Sequence, residues 1–213
     1  MNILEQQLSQ TREASKNRIK PEALVQMREA TTNLKNTDIE RVAFNVGANI
    51  GDAILLDHWK NDISLKEYLN NRPCIISFYR GTWCPYCNLE LKVYNELLSK
   101  EPKVTMVAIS PEMPKSGLDI EHLNFAVFSD IDNTFAKKLN LTFKLSETLE
   151  AVYKSIGIDL EKSQGNQESL LPLPATYIVD ASGMIVYAYL EADYTKRAEP
   201  QEVIKLYKKL FKL

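Results

Sequence analysis

At 213 residues, the chain is long enough to bury one sizeable hydrophobic core, and 26 basic against 28 acidic side chains give a net charge of −2, without the basic excess of a nucleic-acid binder. Hydrophobic residues at 45% and charged residues at 25% are the proportions of a soluble globular protein, and no apolar run approaches the ~20 residues of a membrane-spanning helix. Three cysteines, Cys74, Cys84 and Cys87, are too few for a disulfide framework. The first 20 residues are polar and lack the apolar centre of a signal peptide, so a cytoplasmic, reducing location is expected.

Residues 1–36 are predicted helical in two pieces. Ile3, Leu4 and Leu8 share a face of the first; Pro21 opens the second, where Leu24, Met27, Thr31 and Leu34 recur at helical spacing. Such a stripe packs on its own domain or forms a dimer contact, and both readings are open. Residues 54–56 read as a short strand, and 64–69 as a helical turn with Ser64 and Glu67 in capping-box spacing. Residues 46–52 receive no functional assignment. The continuous apolar run 73–79 suits a strand buried on both faces, with Cys74 an inert core thiol. The following helix runs to about residue 100, where Glu101-Pro102 breaks it.

Residues 104–109 form the next buried strand, parallel to the first because the intervening helix supplies the crossover. A helix is expected over 118–123, a strand over 125–128, and helices over 132–139 and 146–156, the last stopped by Gly157. Residues 159–171 read as a polar surface loop. Strands 175–179 and 184–190, joined by Asp180-Ala181-Ser182-Gly183, form an antiparallel hairpin. The final helix covers 199–211; Lys205, Lys208, Lys209 and Lys212 read as a solvated face rather than a membrane-binding one.

The chemistry concentrates in Ser77-Phe78-Tyr79-Arg80-Gly81-Thr82-Trp83-Cys84-Pro85-Tyr86-Cys87. The order is strand, turn, Cys-x-x-Cys, helix. It puts Cys84 at a helix N-terminus, where free N–H groups and the macrodipole favour the thiolate. Pro85 fits the first helical turn, where its missing N–H costs nothing. A zinc site needs a second ligand pair, which Cys74, His58 and His122 do not supply. The remaining readings are a redox dithiol, favoured by the strand–helix setting, and two buried packing thiols.

The run from Phe78 to Leu91 resembles peroxiredoxin-like proteins of the alkyl hydroperoxide reductase/thiol-specific antioxidant family. Val107-Ala108-Ile109-Ser110-Pro111, Phe128-Ser129-Asp130, the segment from Pro174 to Asp180 and that from Asp193 to Pro200 extend the resemblance over about residues 46–212. It implies an α/β thioredoxin-like fold, with a central mixed sheet flanked by helices, over residues 45–213. Residues 1–44 are then an N-terminal helical extension. It further implies thiol-based peroxide or disulfide chemistry without a cofactor, recycled by thioredoxin or glutathione, and a possible homodimer. By the same resemblance Pro174 precedes the penultimate strand with a cis bond and faces the dithiol.

Two alignments assign the attacking thiol differently. The likeness to thioredoxin makes Cys84, nearest the helix end and expected to be the more exposed, the nucleophile and Cys87 its resolving partner, and helix-terminus physics supports it. Laying Phe78-Tyr79 on the family's Phe-Tyr instead puts Cys87 at the peroxide-reactive position, Arg80 at the motif's proline and Cys84 at its threonine, while Pro174 falls where the family carries an arginine. Cys84 is taken as the nucleophile. Arg80 or Arg197 then supplies the cation, unless either is an ordinary surface arginine. Thr82 and Trp83 shape or shield the thiolate, or Trp83 is plain packing. The main expectation is a thiol-dependent peroxidase acting on hydrogen peroxide or organic hydroperoxides. The alternatives are a glutaredoxin-like disulfide reductase, suggested by Cys-Pro-Tyr-Cys, and a non-enzymatic redox-switched binding protein.

Overall fold

The computed structural model describes residues 3–114 and 122–213. Helices α1 (Ile3–Arg18), α2 (Pro21–Lys35) and α3 (Ile39–Val42) lead into strands β1 (Ile54–Leu56) and β2 (Asp62–Ser64) and helix α4 (Leu65–Leu69). Then come β3 (Cys74–Phe78), α5 (Pro85–Leu98), β4 (Met106–Ser110) and β5 (Ala126–Ser129). The second half comprises α6 (Thr134–Lys138), β6 (Thr142–Lys144), α7 (Glu147–Ser155), α8 (Leu160–Gln164), β7 (Leu170–Pro172), β8 (Ala175–Val179), β9 (Ile185–Leu190) and α9 (Pro200–Phe211). The helix expected over 118–123 lies mostly outside the described residues.

One mixed sheet orders its strands β2-β1-β5-β4-β3-β8-β9, and β6 pairs with β7 in a small antiparallel ladder. β3, β4 and β5 are parallel, as α5 allows, while β8 runs antiparallel to β3 and β9 to β8. Period-two alternation splits the central strands between two cores. Cys74, Ile76 and Phe78 of β3 join Val107, Ile109 and Tyr177 on one face, against Leu65, Leu69 and Phe135. Ile75, Ala108 and Ile178 turn to the other, against Val93, Tyr94, Val203 and Tyr207 of α5 and α9. This second core also takes Leu4 and Leu8 of α1, each 1% exposed, and Met27 of α2 packs with α7 residues Leu149, Val152 and Tyr153. The N-terminal stripe therefore packs on its own chain.

The fold carries the thioredoxin-like α/β arrangement expected from the sequence, with corrections in detail. The stretch 159–171 is not a loop. Asp159 caps α8, which buries Leu160 and Gln164, and β7 follows. Its polar residues hid this because only every third or fourth side chain turns inward. Strands β2 and β6 and helix α3 are three or four residues long, too short to show a period. The peptide bond before Pro174 is trans, as are all those among the described residues. Leu173 N–H donates to Leu141 C=O at 2.7 Å, so the chain stays extended from β7 into β8 along the path a trans bond provides. Trans is also the favoured isomer by about 0.5–1 kcal/mol.

Candidate active site

Tyr79 N–H donates to Ile109 C=O at 2.9 Å, closing the parallel ladder one residue past β3. The chain then turns through Gly81, whose φ of +145° few side chains tolerate. A Cβ there would lie 2.5 Å from Trp83 Nε1 and 2.9 Å from Glu112 Cδ. Glu112 pins this turn: its Oε2 accepts from Thr82 N–H at 2.6 Å, and its Oε1 from Thr82 Oγ1 at 3.1 Å and Ser163 Oγ at 2.9 Å. Cys84 is the residue preceding the first turn of α5, with Pro85 at the first helical position. Its own carbonyl accepts from Asn88 N–H at 3.1 Å.

Both sulfurs are fully buried, at 0% exposure, and both are free thiols. Cys84 is thus no more exposed than Cys87, because Tyr86, Trp83, Tyr194 and Ala198 share the core around the helix end. The covering is not purely apolar. Arg80 Nη2 lies 3.0 Å from Cys84 Sγ, and Arg197 Nη2 lies 3.1 Å from Cys87 Sγ. Neither is a surface arginine: Arg80 is 3% and Arg197 9% exposed.

Each guanidinium is held by a further set of contacts. Arg80 Nη1 donates to Tyr153 Oη at 2.8 Å, and its carbon sits 4.0 Å from the centre of the Tyr194 ring and 5.0 Å from that of Trp83. These are cation–π distances. Arg197 Nε donates to Glu90 Oε2 at 2.6 Å, and its Nη1 to the carbonyls of Tyr194 and Lys196. Glu90 Oε1 in turn accepts from Thr176 Oγ1 at 3.3 Å. Helix α5 places Cys87 and Glu90 one turn apart on its inner face, so Arg197 reaches both.

This environment treats the two thiols oppositely. Burial opposes ionisation of Cys84, but the hydrogen bond from Cys87 and the charges of Arg80 and Arg197 outweigh it, holding the Cys84 thiol well below the ordinary cysteine range. Burial, the bond to Cys84 and the negative charge of Cys84 together push Cys87 well above that range. Burial alone raises Cys74, which faces the opposite core. Burial also raises the Glu90 carboxyl, against the pull of Arg197.

Of the residues singled out in the sequence, Cys84, Cys87, Arg80 and Arg197 come together in one buried cluster. Thr82 reaches Glu112 rather than a sulfur, and Trp83 stacks edge-on to Tyr153 with ring centroids 5.7 Å apart. Pro174 is buried beside Arg80, Tyr153 and Tyr194 around a small cavity. Sequence reasoning missed Glu90, Glu112, Tyr153 and Tyr194. Glu90 left a signal, an acidic residue at i+3 from Cys87 on an otherwise apolar helix face. Tyr153 left none, since its ring fits the apolar stripe of α7 and only its hydroxyl does the work.

The sequence profile of the AhpC/TSA family matches residues 46–188. The thiol-disulfide oxidoreductase ResA of Geobacillus kaustophilus is 28% identical over 148 residues, 68% of this chain and 70% of that protein. Among solved structures, a thiol peroxidase from Chromobacterium violaceum superposes with a TM-score of 0.60 at 16% identity, covering 80% of this chain and 89% of that one. The peroxidoxin BcpB of Mycobacterium tuberculosis superposes with a TM-score of 0.58 at 16% identity, over 80% of this chain and 98% of that one. At these identities the superpositions establish the shared fold.

Proposed function

This chain belongs to the AhpC/TSA family and is an oxidoreductase, and from that premise we propose that it is a thiol-dependent peroxidase in which Cys84 attacks and Cys87 resolves. The observation that carries this reading is the Cys84 sulfur at the start of α5, 3.0 Å from a buried guanidinium. The thiolate is the reactive form of cysteine, and a fixed cation beside it favours that form. Cys84 thiolate attacks the peroxide's terminal oxygen; the O–O bond breaks and the leaving alkoxide or hydroxide takes a proton. Cys84 becomes a sulfenic acid. Cys87 then attacks the sulfenic sulfur, water leaves, and the Cys84–Cys87 disulfide forms. An external thiol reduces it in a reducing, cytoplasmic setting.

The second reading, a disulfide reductase, draws on the likeness to proteins named thiol-disulfide oxidoreductases and on Cys-Pro-Tyr-Cys. The complete burial of both sulfurs weighs against it. A protein disulfide must bring a sulfur into line with the attacking thiolate, whereas a hydroperoxide group needs only a small opening past Trp83 and Tyr86. The two readings separate in an assay of NADPH consumption with hydrogen peroxide or an organic hydroperoxide, using thioredoxin or glutathione as donor. Peroxide-dependent turnover is expected, and Cys84→Ser alone should abolish first-turnover sulfenic acid. Sulfenic acid trapped in Cys84→Ser would reverse the assignment, and turnover on a small disulfide without peroxide turnover would favour the second reading.

A further inference from the structure

The buried cluster holds two cations and, among the described residues, one carboxylate in contact with them. Arg80 and Arg197 supply the positive charge and Glu90 the negative, and of the two arginines it is Arg197 that Glu90 pairs with. Glu112, on the far side of the turn, is bonded to Thr82 and Ser163. Arg12 of α1, bonded to Thr195 C=O, is ion-paired with Glu5 and leaves the charge count unchanged. Arg80 therefore has one anionic partner, the sulfur of Cys84, and its Nε has no hydrogen-bond partner. In the dithiol state a thiolate there closes the charge count. A disulfide carries no charge and leaves Arg80 with Tyr153 Oη and two ring faces. An unpaired buried charge is costly, so forming the disulfide works against the electrostatics of the site. Were Glu90 protonated, the imbalance would grow.

Access points the same way. Neither sulfur reaches the surface, but a cavity of about 370 Å³ abuts the outer side of Arg80, lined among others by Ser15, Arg18, Trp83, Tyr86 and Tyr153. That is the size of a small-molecule site. Its walls carry two arginines, Arg18 at the end of α1 and Arg80 at its floor. The α1 and α2 residues on this wall lie outside the family-matched stretch 46–188.

We propose that the electron donor is a small, carboxylate-bearing monothiol that enters this cavity, and that no strongly reducing dithiol protein is needed because the dithiol is the charge-balanced state of the site. The proposal rests on the Cys84–Cys87 pair being the redox centre. A donor thiolate entering beside Arg80 attacks Cys84, the S–S bond breaks, and Cys87 leaves and takes up a proton. A second donor thiolate attacks the donor sulfur of the mixed disulfide, releasing Cys84 as a thiolate facing Arg80. The sum is enzyme disulfide plus two donor thiols giving Cys84 thiolate, Cys87 thiol, donor disulfide and one proton.

The test starts from protein oxidised with diamide, its disulfide confirmed by mass. It is reduced with glutathione, N-acetylcysteine or cysteamine, and separately with thioredoxin, thioredoxin reductase and NADPH. Glutathione is expected to act faster than equimolar thioredoxin. Arg18→Gln should slow N-acetylcysteine severalfold and leave cysteamine, which carries an amine instead of a carboxylate, unchanged. In glutathione redox buffers Arg80→Met should shift the equilibrium at least tenfold toward the disulfide, about 30 mV for a two-electron couple. Should Arg80→Met not fold, the unaltered protein decides the same point, with its oxidised form melting below its reduced form. Faster reduction by thioredoxin, equal slowing of both small thiols in Arg18→Gln, a disulfide that persists in excess reduced glutathione, or an oxidised form melting higher would each overturn the proposal. No disulfide at all after diamide would instead remove the redox centre, and with it the peroxidase reading.

Discussion

Cys84 is held toward the thiolate against a large opposing effect. Removal from water disfavours a thiolate, and only a close cation and a hydrogen-bond donor reverse that preference. Arg80 and the Cys87 thiol provide both, at the residue where the α5 macrodipole is strongest. The sign of the resulting pH dependence follows. A thiol depressed in the folded state and near 8.5 in the unfolded chain contributes stability that is fully present above about 8.5 and lost as pH falls through the folded value. The stability difference between the reduced protein and Cys84→Ser should therefore shrink as pH is lowered from about 8.5. Urea denaturation under reducing conditions at a series of pH values measures it; a difference that is flat or grows toward acid would place the thiolate elsewhere.

At the scale of elements, β3 and α5 meet at one turn, and the groups that surround the sulfurs gather at that turn from several parts of the chain. Arg80 ends the strand, Glu90 lies one turn into the helix, Tyr153 comes from α7, and Tyr194 and Arg197 from the segment between β9 and α9. Helix α1 covers α5 and inserts Leu4 and Leu8 into the same core. We propose that residues 1–44 are an integral extension of the 45–213 domain rather than a detachable arm. Leu8→Ala should then cost about 2–5 kcal/mol, the usual range for a buried leucine. Chemical denaturation reads this directly, and a loss under about 0.5 kcal/mol, typical of surface positions, would show α1 to be a loose attachment.

Across the whole molecule, the sheet separates two kinds of cysteine. Period-two alternation turns Cys74 into the core opposite the one that receives Cys84 and Cys87. Cys74 is as buried as they are; its thiol donates to the Ile75 carbonyl, and only the Val107 backbone N–H and the more distant charge of Arg72 favour its thiolate among the described residues. Burial outweighs both and pushes the Cys74 thiol up, favouring the protonated form. In the reduced native protein, alkylation followed by mass spectrometry should label Cys84 first and leave Cys74 unmodified until the protein unfolds. Labelling of Cys74 at a rate comparable to Cys84 would contradict that separation.

The elements with a strong period were legible in the chain itself: two N-terminal helices, the doubly buried β3 and β4, the crossover helix, the β8–β9 hairpin and the Cys-x-x-Cys at a helix start. Each is dictated locally, by side-chain spacing, a breaker or a cap. The identities of Cys84, Cys87, Arg80 and Arg197 were legible too, though not their contacts. Tertiary structure alone decided that both arginines are buried and that each takes one sulfur. It also decided that Glu90 and Tyr153 hold the guanidinium groups in place, and that the dithiol lies beneath a cavity rather than at the surface. These are meetings between residues far apart in the chain, Arg197 and Cys87 being separated by 110 positions, and no local pattern encodes them. The trans bond at Pro174 belongs with them, because a proline's isomer is fixed by where its neighbours must run.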